Sequence, residues 1–346
     1  MLRSALLTFR MHRFEVLLVA VLLTLTAVSA LVARSHVAAA NPSNECWSQN
    51  WSGGSTLECQ ASVANFWGAA DEASFVASPL AVSLPFIVGL LLGVPIVGRE
   101  LELRTAGLAW SLTGRRWRGL LARFVPMLIL GGGGLLIVAL LVADMARVAH
   151  PWSYLGPGRI PDLTEIGSEG MPLAARGLMT LGIGLLLGAV AGRTLPAFAI
   201  GTIACFALLF LGVPFLQGRV GEGVAVWRDQ TDDRPALYVP GISDAGYRAP
   251  DGTILSFEQA QTLASGQPCP PDETSPDPGM GKAVTGAPVA DCSGQWLAAN
   301  GYAAVTRVAP IESYPTFENA EILATSTIGI FCILLTFPIV SRRRPA

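Results

Sequence analysis

The sequence predicts an all-α polytopic membrane protein with six transmembrane helices and both termini in the cytoplasm. Of its 346 residues, 51% are hydrophobic and only 14% charged, and the mean hydropathy is +0.50. These values exceed what a soluble domain of this length needs for its core. Apolar runs near the bilayer-spanning length of about 20 residues recur six times. Arginines flank alternate ends of these runs, and an excess of basic residues marks the cytoplasmic side of a membrane.

The first apolar run, Val16 to Ala33, follows Arg3, Arg10 and Arg13, which place the N-terminus in the cytoplasm. A cleaved signal peptide is the alternative, because the small residues 38–40 resemble a cleavage site. The apolar run is longer than the roughly 7–15 apolar residues that are usual in such a peptide. We therefore expect an uncleaved first helix.

The second and third runs, Ser78 to Val97 and Phe124 to Ala146, bracket a segment rich in arginine, which should be cytoplasmic. The fourth and fifth runs, Leu173 to Val190 and Leu195 to Phe215, are joined by a four-residue turn that carries one arginine. The sixth run ends in three consecutive arginines and places the C-terminus inside as well.

These runs divide the chain into alternating membrane, inner and outer segments. The predicted boundaries are 1–34 for the N-terminus and first helix, 35–77 for the first extracellular loop, 78–98 for the second helix, 99–122 for a cytoplasmic segment, 123–146 for the third helix, 147–171 for the second extracellular loop, 172–217 for the fourth and fifth helices, 218–320 for a large extracellular loop, and 321–346 for the sixth helix and cytoplasmic tail. The large loop is rich in Pro, Gly and Asp over residues 267–288 and is flanked by segments that could form short strands or helices. It also holds several aromatic residues, so we expect a small, irregular, disulfide-stapled cap.

The cysteines are distributed in agreement with this topology. The first and last outer loops hold two cysteines each, and an oxidising exterior favours disulfides. We therefore predict the bridges Cys46–Cys59 and Cys269–Cys292, with free thiols throughout as the alternative. Cys205 and the cysteine of the sixth helix should be buried as small apolar residues.

Polar and small residues inside the predicted helices give further expectations. Asp144 closes the third helix and Arg176 opens the fourth, so a structural Asp144–Arg176 ion pair is expected in preference to a substrate contact. Gly184, Gly188 and Gly192 are spaced four apart along the fourth helix. Such a stripe allows close helix packing.

The sequence offers little that could support catalysis. Its three histidines lie on different segments, so their spacing suggests neither a metal site nor a Ser or Cys–His pair. Gly279-Met280-Gly281-Lys282 resembles a phosphate-binding loop but lacks the spacing and the Ser or Thr that such a loop needs. Basic residues occur in small groups, which does not suggest nucleic acid. We expect no enzyme activity, metal or cofactor in this chain, and lipid as one partner.

The most informative segment follows the second helix, within the predicted cytoplasmic region. Residues 98–118 suit an interfacial helix, although a plain inner loop that fixes topology is the alternative. This segment resembles the one that follows the second helix in permease subunits of type-2 (exporter) ABC transporters, especially actinobacterial ones. The matching residues are Arg99, Glu100, Leu101, Glu102, Thr105, Leu108, Ala109, Trp110, Arg116 and Trp117. The chain departs from the family at two positions. At Arg104 the family has Gly, and at Gly107 it often has Arg.

The resemblance implies a six-helix plasma (inner) membrane permease that works as a homo- or heterodimer with nucleotide-binding ATPase subunits. ATP and Mg²⁺ would be bound by those partners. The segment after the second helix would act as a coupling helix, with Arg99, Glu100, Glu102 and Arg104 as the coupling residues. The substrate would be lipophilic or amphipathic. The alternative is a non-transporting membrane sensor or envelope-assembly scaffold whose extracellular cap binds a ligand or a protein.

Overall fold

Six long apolar helices form the body of the protein. The computed structural model describes residues 12–51, 56–103, 116–149, 170–230, 236–237, 244–265, 267 and 293–342. Within these residues, six helices are long and apolar enough to cross a membrane. They are α1 (Arg13–Ala39), α2 (Leu57–Glu102), α3 (Arg116–Ala149), α4 (Gly170–Ala191), α5 (Thr194–Val224) and α6 (Tyr314–Arg342). The six predicted spans are confirmed. We call the side on which α2, α4 and α6 end the inner side, which is the predicted cytoplasmic side.

The second helix is much longer than its apolar run. It has 46 residues, and at 1.5 Å per residue it extends about 69 Å, more than twice the hydrocarbon thickness of a bilayer. Its first turn is capped by Thr56, whose hydroxyl accepts a hydrogen bond from the Cys59 amide at 3.4 Å. Residues 57–77 of the predicted first extracellular loop therefore form part of α2.

A small aromatic core explains why this outer segment is helical. A short helix, Asn44–Trp51, packs beside the start of α2, and Trp47, Phe66 and Trp67 meet edge to face with ring centroids 5.3–6.3 Å apart. Val37 from the end of α1 is buried in the same cluster. Packing of this kind stabilises helices whose sequence alone is not apolar enough to predict a membrane span.

The centre of the bundle is α4, which is more enclosed than the other five helices. Glycines on two of its sides allow neighbouring backbones to approach. A Cβ on Gly188 would lie 2.6 Å from the Val94 carbonyl oxygen of α2, and a Cβ on Gly182 would lie 2.4 Å from the Gly329 carbonyl oxygen of α6. The helix α4 is thus held between α2 and α6 by close backbone contact.

The three glycines of the predicted stripe have two different environments. Gly184 and Gly188 face α2, where their nearest neighbours are Gly89, Gly93, Val94 and Gly98. Gly192 lies beyond the last residue of α4 and has a φ of +64°, and its amide donates to the Gly188 carbonyl. It ends the helix in the left-handed conformation that glycine adopts most easily, rather than packing against another helix.

A folded domain lies between α5 and α6. The short strands and helices expected beside the stretch rich in Pro and Gly are present, and they form one sheet rather than an irregular cap. Its five strands are β1 (Val226–Asp229), β2 (Ala236–Leu237), β3 (Ala245–Arg248), β4 (Ile254–Ser256) and β5 (Ala303–Pro310). The sheet order is β1-β5-β3-β4, with β2 also paired to β5 and every pairing antiparallel. We call this unit the sheet domain. The predicted Cys269–Cys292 bridge lies outside the described residues.

The sheet domain is attached to the bundle at both of its ends. Strand β1 begins two residues after α5 ends, and β5 leads through a single 3₁₀ turn into α6. Leu237 and Ala309 of the domain share a buried cluster with Phe317 of α6. Two short helices, Phe257–Ala264 and Ser293–Ala299, supply a second small core with Tyr247.

Candidate functional site

Three charged side chains at the inner end of α2 each contact a different helix. Arg99 reaches α1, Glu100 reaches α3 and Glu102 reaches the first residue of α5. All three belong to the segment singled out by the sequence. We call this group of contacts the inner hub. The fourth predicted coupling residue, Arg104, and most of the predicted coupling helix lie outside the described residues.

The contact with α1 joins Arg99 to Glu15. Arg99 Nη1 lies 3.2 Å from Glu15 Oε1, while the other carboxylate oxygen of Glu15 is buried without a hydrogen-bond partner among the described residues. His12 is buried close by, and burial lowers the pKa of His12 below its usual 6.5. Arg99 and Arg123 lower this pKa further, and Glu15 opposes them. The start of α1 is therefore held electrostatically against the inner hub.

The contact with α3 is an ion pair between Glu100 and Arg123. The Glu100 side chain is only 8% exposed and that of Arg123 is 20% exposed. A carboxylate buried in this way with a guanidinium partner is not on the surface that a docking protein reaches. The expectation that Glu100 contacts an ATPase directly does not fit this burial, because its side chain is occupied in joining α2 to α3.

The contact with α5 is a helix cap supplied by another helix. Glu102 Oε2 accepts hydrogen bonds from the Thr194 amide at 3.0 Å and from its hydroxyl at 2.6 Å. Arg193 at the N-cap position of α5 makes no side-chain cap. The Glu102 carboxylate therefore satisfies an amide that the helix leaves unpaired, and its negative charge suits the positive end of the helix dipole.

The predicted Asp144–Arg176 pair is absent, because each residue has a different partner. Asp144 pairs with Arg34 at the outer ends of α3 and α1. Arg176 pairs with Glu321 of α6, with Arg176 Nη2 2.6 Å from Glu321 Oε1. Helix packing places Arg34 beside Asp144 and Glu321 beside Arg176, so that Asp144 and Arg176 do not pair with each other across the second outer loop.

The structure describes four of the six cysteines. Cys46 and Cys59 form a disulfide with a Cα–Cα distance of 4.9 Å, and it joins the short outer helix to the start of α2. Cys205 and Cys332 are free and buried. Among the described residues, no three His, Cys, Asp or Glu side chains group as metal ligands would.

Several residues of these contacts were not singled out from the sequence. Glu15, Arg123 and Thr194 each lie within a few residues of a predicted helix end, where charge is expected for topology alone. Glu321 precedes the last apolar run directly. A usable signal was the spacing on α6 of residues that are small or polar: Glu321, Thr325, Gly329, Cys332 and Thr336.

A family model described as "ABC-2 membrane transporter related" matches residues 16–217. The match spans more than half of the chain, from α1 into α5, and it includes the three α2 residues of the inner hub. It ends before the sheet domain and α6. No curated protein and no solved structure matches the chain. The chain therefore belongs to the ABC-2 membrane transporter related family and is a multi-pass membrane protein of the ABC transporter permease type.

Proposed function

We propose that this permease exports a lipophilic or amphipathic substrate across the plasma (inner) membrane, using ATP hydrolysed by a separate nucleotide-binding subunit. ATP and Mg²⁺ would be bound by that subunit. A second permease subunit, identical or related, would complete the transporter. Membership of the ABC-2 family supports a permease that works with ATPase subunits in general, and the inner hub supports a specific route by which ATPase movement would reach the membrane helices.

The observation that carries this proposal is the connection of one helix end to three neighbours. A displacement of the inner end of α2 acts directly on α1 through Arg99, on α3 through Glu100 and on α5 through Glu102. Rigid helices joined in this way move together rather than one at a time. The inner hub is thus suited to convert a push at one point into a rearrangement of four helices.

The exposure of the three side chains assigns them different parts in this proposal. Arg99 and Glu102 are exposed, so they would meet the ATPase subunit, together with Arg104. Glu100 is buried and would hold α3 to α2 while the inner end moves. A substitution intended to test docking therefore belongs at Glu102, since Glu100→Arg would place a second guanidinium beside Arg123 in a buried site.

The test is ATP hydrolysis by the reconstituted pair of subunits. The chain is purified with any ATPase that accompanies it, which is recognised by its Walker and signature motifs. ATPase activity is then measured with and without the permease in vesicles. We expect stimulation by the wild type and loss of most of it in Glu102→Ala. The matched control is Glu222→Ala, which removes an exposed, ion-paired glutamate from the other end of α5.

Two results would contradict the proposal. Equal stimulation by Glu102→Ala and wild type would remove the inner hub from the coupling route. A stable chain that neither binds nor stimulates any such ATPase would instead favour the non-transporting sensor or scaffold.

A further inference from the structure

The buried face of α6 is its small and polar face. Between Glu321 and Thr336 the buried residues are Glu321, Thr325, Gly329, Cys332 and Thr336, whereas the exposed face carries Leu323, Ile330, Phe331 and Leu334. The apolar residues Phe317 and Val340 are buried beyond the two ends of this stripe. In a membrane, small residues let helices approach, and polar residues avoid lipid by facing protein. This stripe therefore determines which side of α6 turns toward α4.

The same stripe does not determine how far α6 is shifted along α4. Its small residues recur about once per turn, so a slide of one turn, about 5.4 Å, again places small residues at the interface. The hydroxyls of Thr325 and Thr336 donate to the carbonyls of Glu321 and Cys332 within α6. Because both hydrogen bonds stay inside the helix, they do not distinguish one position along α4 from another.

The ion pair between Arg176 and Glu321 does not repeat along the stripe. Nε and Nη2 of Arg176 both lie 2.6 Å from Glu321 Oε1, and the two side chains are 4% and 1% exposed. A slide of one turn would leave both charges unpaired inside the bundle, which is far more costly than a change of apolar neighbours.

The close approach of Gly182 and Gly329 also favours the observed register, but less strongly. A Cβ on Gly329 would lie 2.8 Å from the Leu178 carbonyl oxygen. Overpacking of this kind is relieved by moving the helices slightly apart, whereas an unpaired buried charge is not. Stability alone does not account for the ion pair, since Glu321 Oε2 is buried without a hydrogen-bond partner among the described residues.

We infer that Arg176 and Glu321 are positioning residues that fix the axial register of α6 on α4, the central helix. Through α6, the pair also places the sheet domain over the bundle, because β5 continues into α6 and Phe317 is buried against Leu237 and Ala309. The inference does not depend on the proposed function, and its test requires no ATPase or transported substrate.

The register can be measured with the native thiol of Cys332. Cys332 shares a buried cluster with Met179 and Ile183, and Leu186 packs against the same cluster. Cysteines are placed singly at these three positions of the full chain in its membrane, in a Cys205→Ala background because Cys205 also belongs to the cluster. After oxidation, a maleimide that adds mass counts the thiols that remain free. With the ion pair intact, disulfide formation is expected to concentrate at one of the three positions.

The double variant Arg176→Leu/Glu321→Leu removes the pair without leaving a buried charge, so we expect it to fold. The disulfide yield at the preferred position should fall at least about threefold, and yield should appear one turn away. The charge-swapped variant Arg176→Glu/Glu321→Arg should restore the original profile. The matched control is Arg34→Leu/Asp144→Leu, which removes the α1–α3 ion pair and should leave the profile unchanged.

An unchanged profile in Arg176→Leu/Glu321→Leu would overturn the inference and assign the register to the glycine contact instead. A shifted profile that the charge swap does not restore would also overturn it, because packing volume rather than charge pairing would then be responsible. Formation of the Cys46–Cys59 disulfide in each variant reports that the short outer helix Asn44–Trp51 has met the start of α2.

Discussion

Gly188 and Gly184 both face α2, but a methyl group would meet different obstacles at the two positions. At Gly188 the added carbon would lie 2.6 Å from the Val94 carbonyl oxygen, whereas at Gly184 the nearest atom is the Val94 amide nitrogen at 3.3 Å. Backbone atoms cannot rotate away as a side chain can. We expect Gly188→Ala to lower the free energy of unfolding by about 1–3 kcal/mol and Gly184→Ala by less.

The measurement is the thermal unfolding midpoint of each variant in detergent, and Gly133→Ala is the matched control. Nothing lies within 4 Å of a Cβ at Gly133 in α3. Alanine favours helix over glycine by about 1 kcal/mol, so Gly133→Ala should be neutral or stabilising. Equal midpoints for Gly184→Ala and Gly188→Ala would show that α2 and α4 are less closely packed than the structure indicates.

His12 gives a prediction for pH, because burial lowers the pKa of its imidazole in the folded protein. Its neutral form is favoured on folding, so its contribution to stability is complete above the unfolded pKa of about 6.5 and is lost as pH falls through the folded pKa. Between about pH 7.5 and 5.5, the unfolding midpoint of the wild type should fall more than that of His12→Gln. Parallel curves would contradict this.

The sequence was a good guide to the kinds of residue at these contacts and a poor guide to their partners. Arg99, Glu100 and Glu102 were recognisable by their motif, and all three make interhelical contacts. Asp144 and Arg176 were paired in the prediction because one loop separates them. The packing of whole helix faces decides which helices are neighbours. The spacing of residues along the sequence does not show which helices will pack together.

Helix α2 and the short helix Asn44–Trp51 form an outer element joined by the Cys46–Cys59 disulfide, whose cysteines have a sequence separation of 13. Closing a loop of about this length stabilises a protein by about 3 kcal/mol in the chain-entropy model. We expect Cys46→Ser/Cys59→Ser to unfold this element at lower temperature while the membrane spans stay inserted.

Hydrogen exchange measured peptide by peptide on the full chain tests this expectation. Residues 44–51 and 57–70 should exchange faster in the double serine variant, with α4 unchanged. The matched control is Cys205→Ala/Cys332→Ala, which removes the two buried free thiols and should leave the outer element protected. Equal protection of residues 44–51 in the wild type and the serine variant would mean that the aromatic core alone holds the element.

Among the helices and strands, the membrane spans were predictable from the sequence and the outer elements were not. A span of about 20 apolar residues is required by the bilayer itself, so hydropathy predicts it directly. The outer half of α2 is helical because Phe66 and Trp67 pack against Trp47, and such packing leaves no hydropathy signal. Most strands of the sheet domain have only two to four residues, too few for a clear alternation.

The molecule as a whole consists of a family-matched bundle followed by a sheet domain and a last helix. The match ends at residue 217, before β1, and α6 returns to contact α4 inside the bundle. The two ends of the sheet domain are adjacent, because Trp227 of β1 pairs with Arg307 of β5. A domain whose ends meet can be removed without stretching the chain that carries it.

We therefore expect the bundle to fold when residues 228–306 are replaced by Asn-Gly, a two-residue turn that joins Trp227 to Arg307 as a hairpin. The buried contact of Phe317 with Leu237 would be lost, at a cost of about 1–3 kcal/mol. Glu321 lies about one turn of α6 further toward the inner side than Phe317, so the Arg176–Glu321 pair should still hold α6 on α4. The measurement is the disulfide profile of Cys332 in the shortened chain, with the full chain as control. A profile that shifts on excision would show that the sheet domain, rather than the ion pair, sets the position of α6.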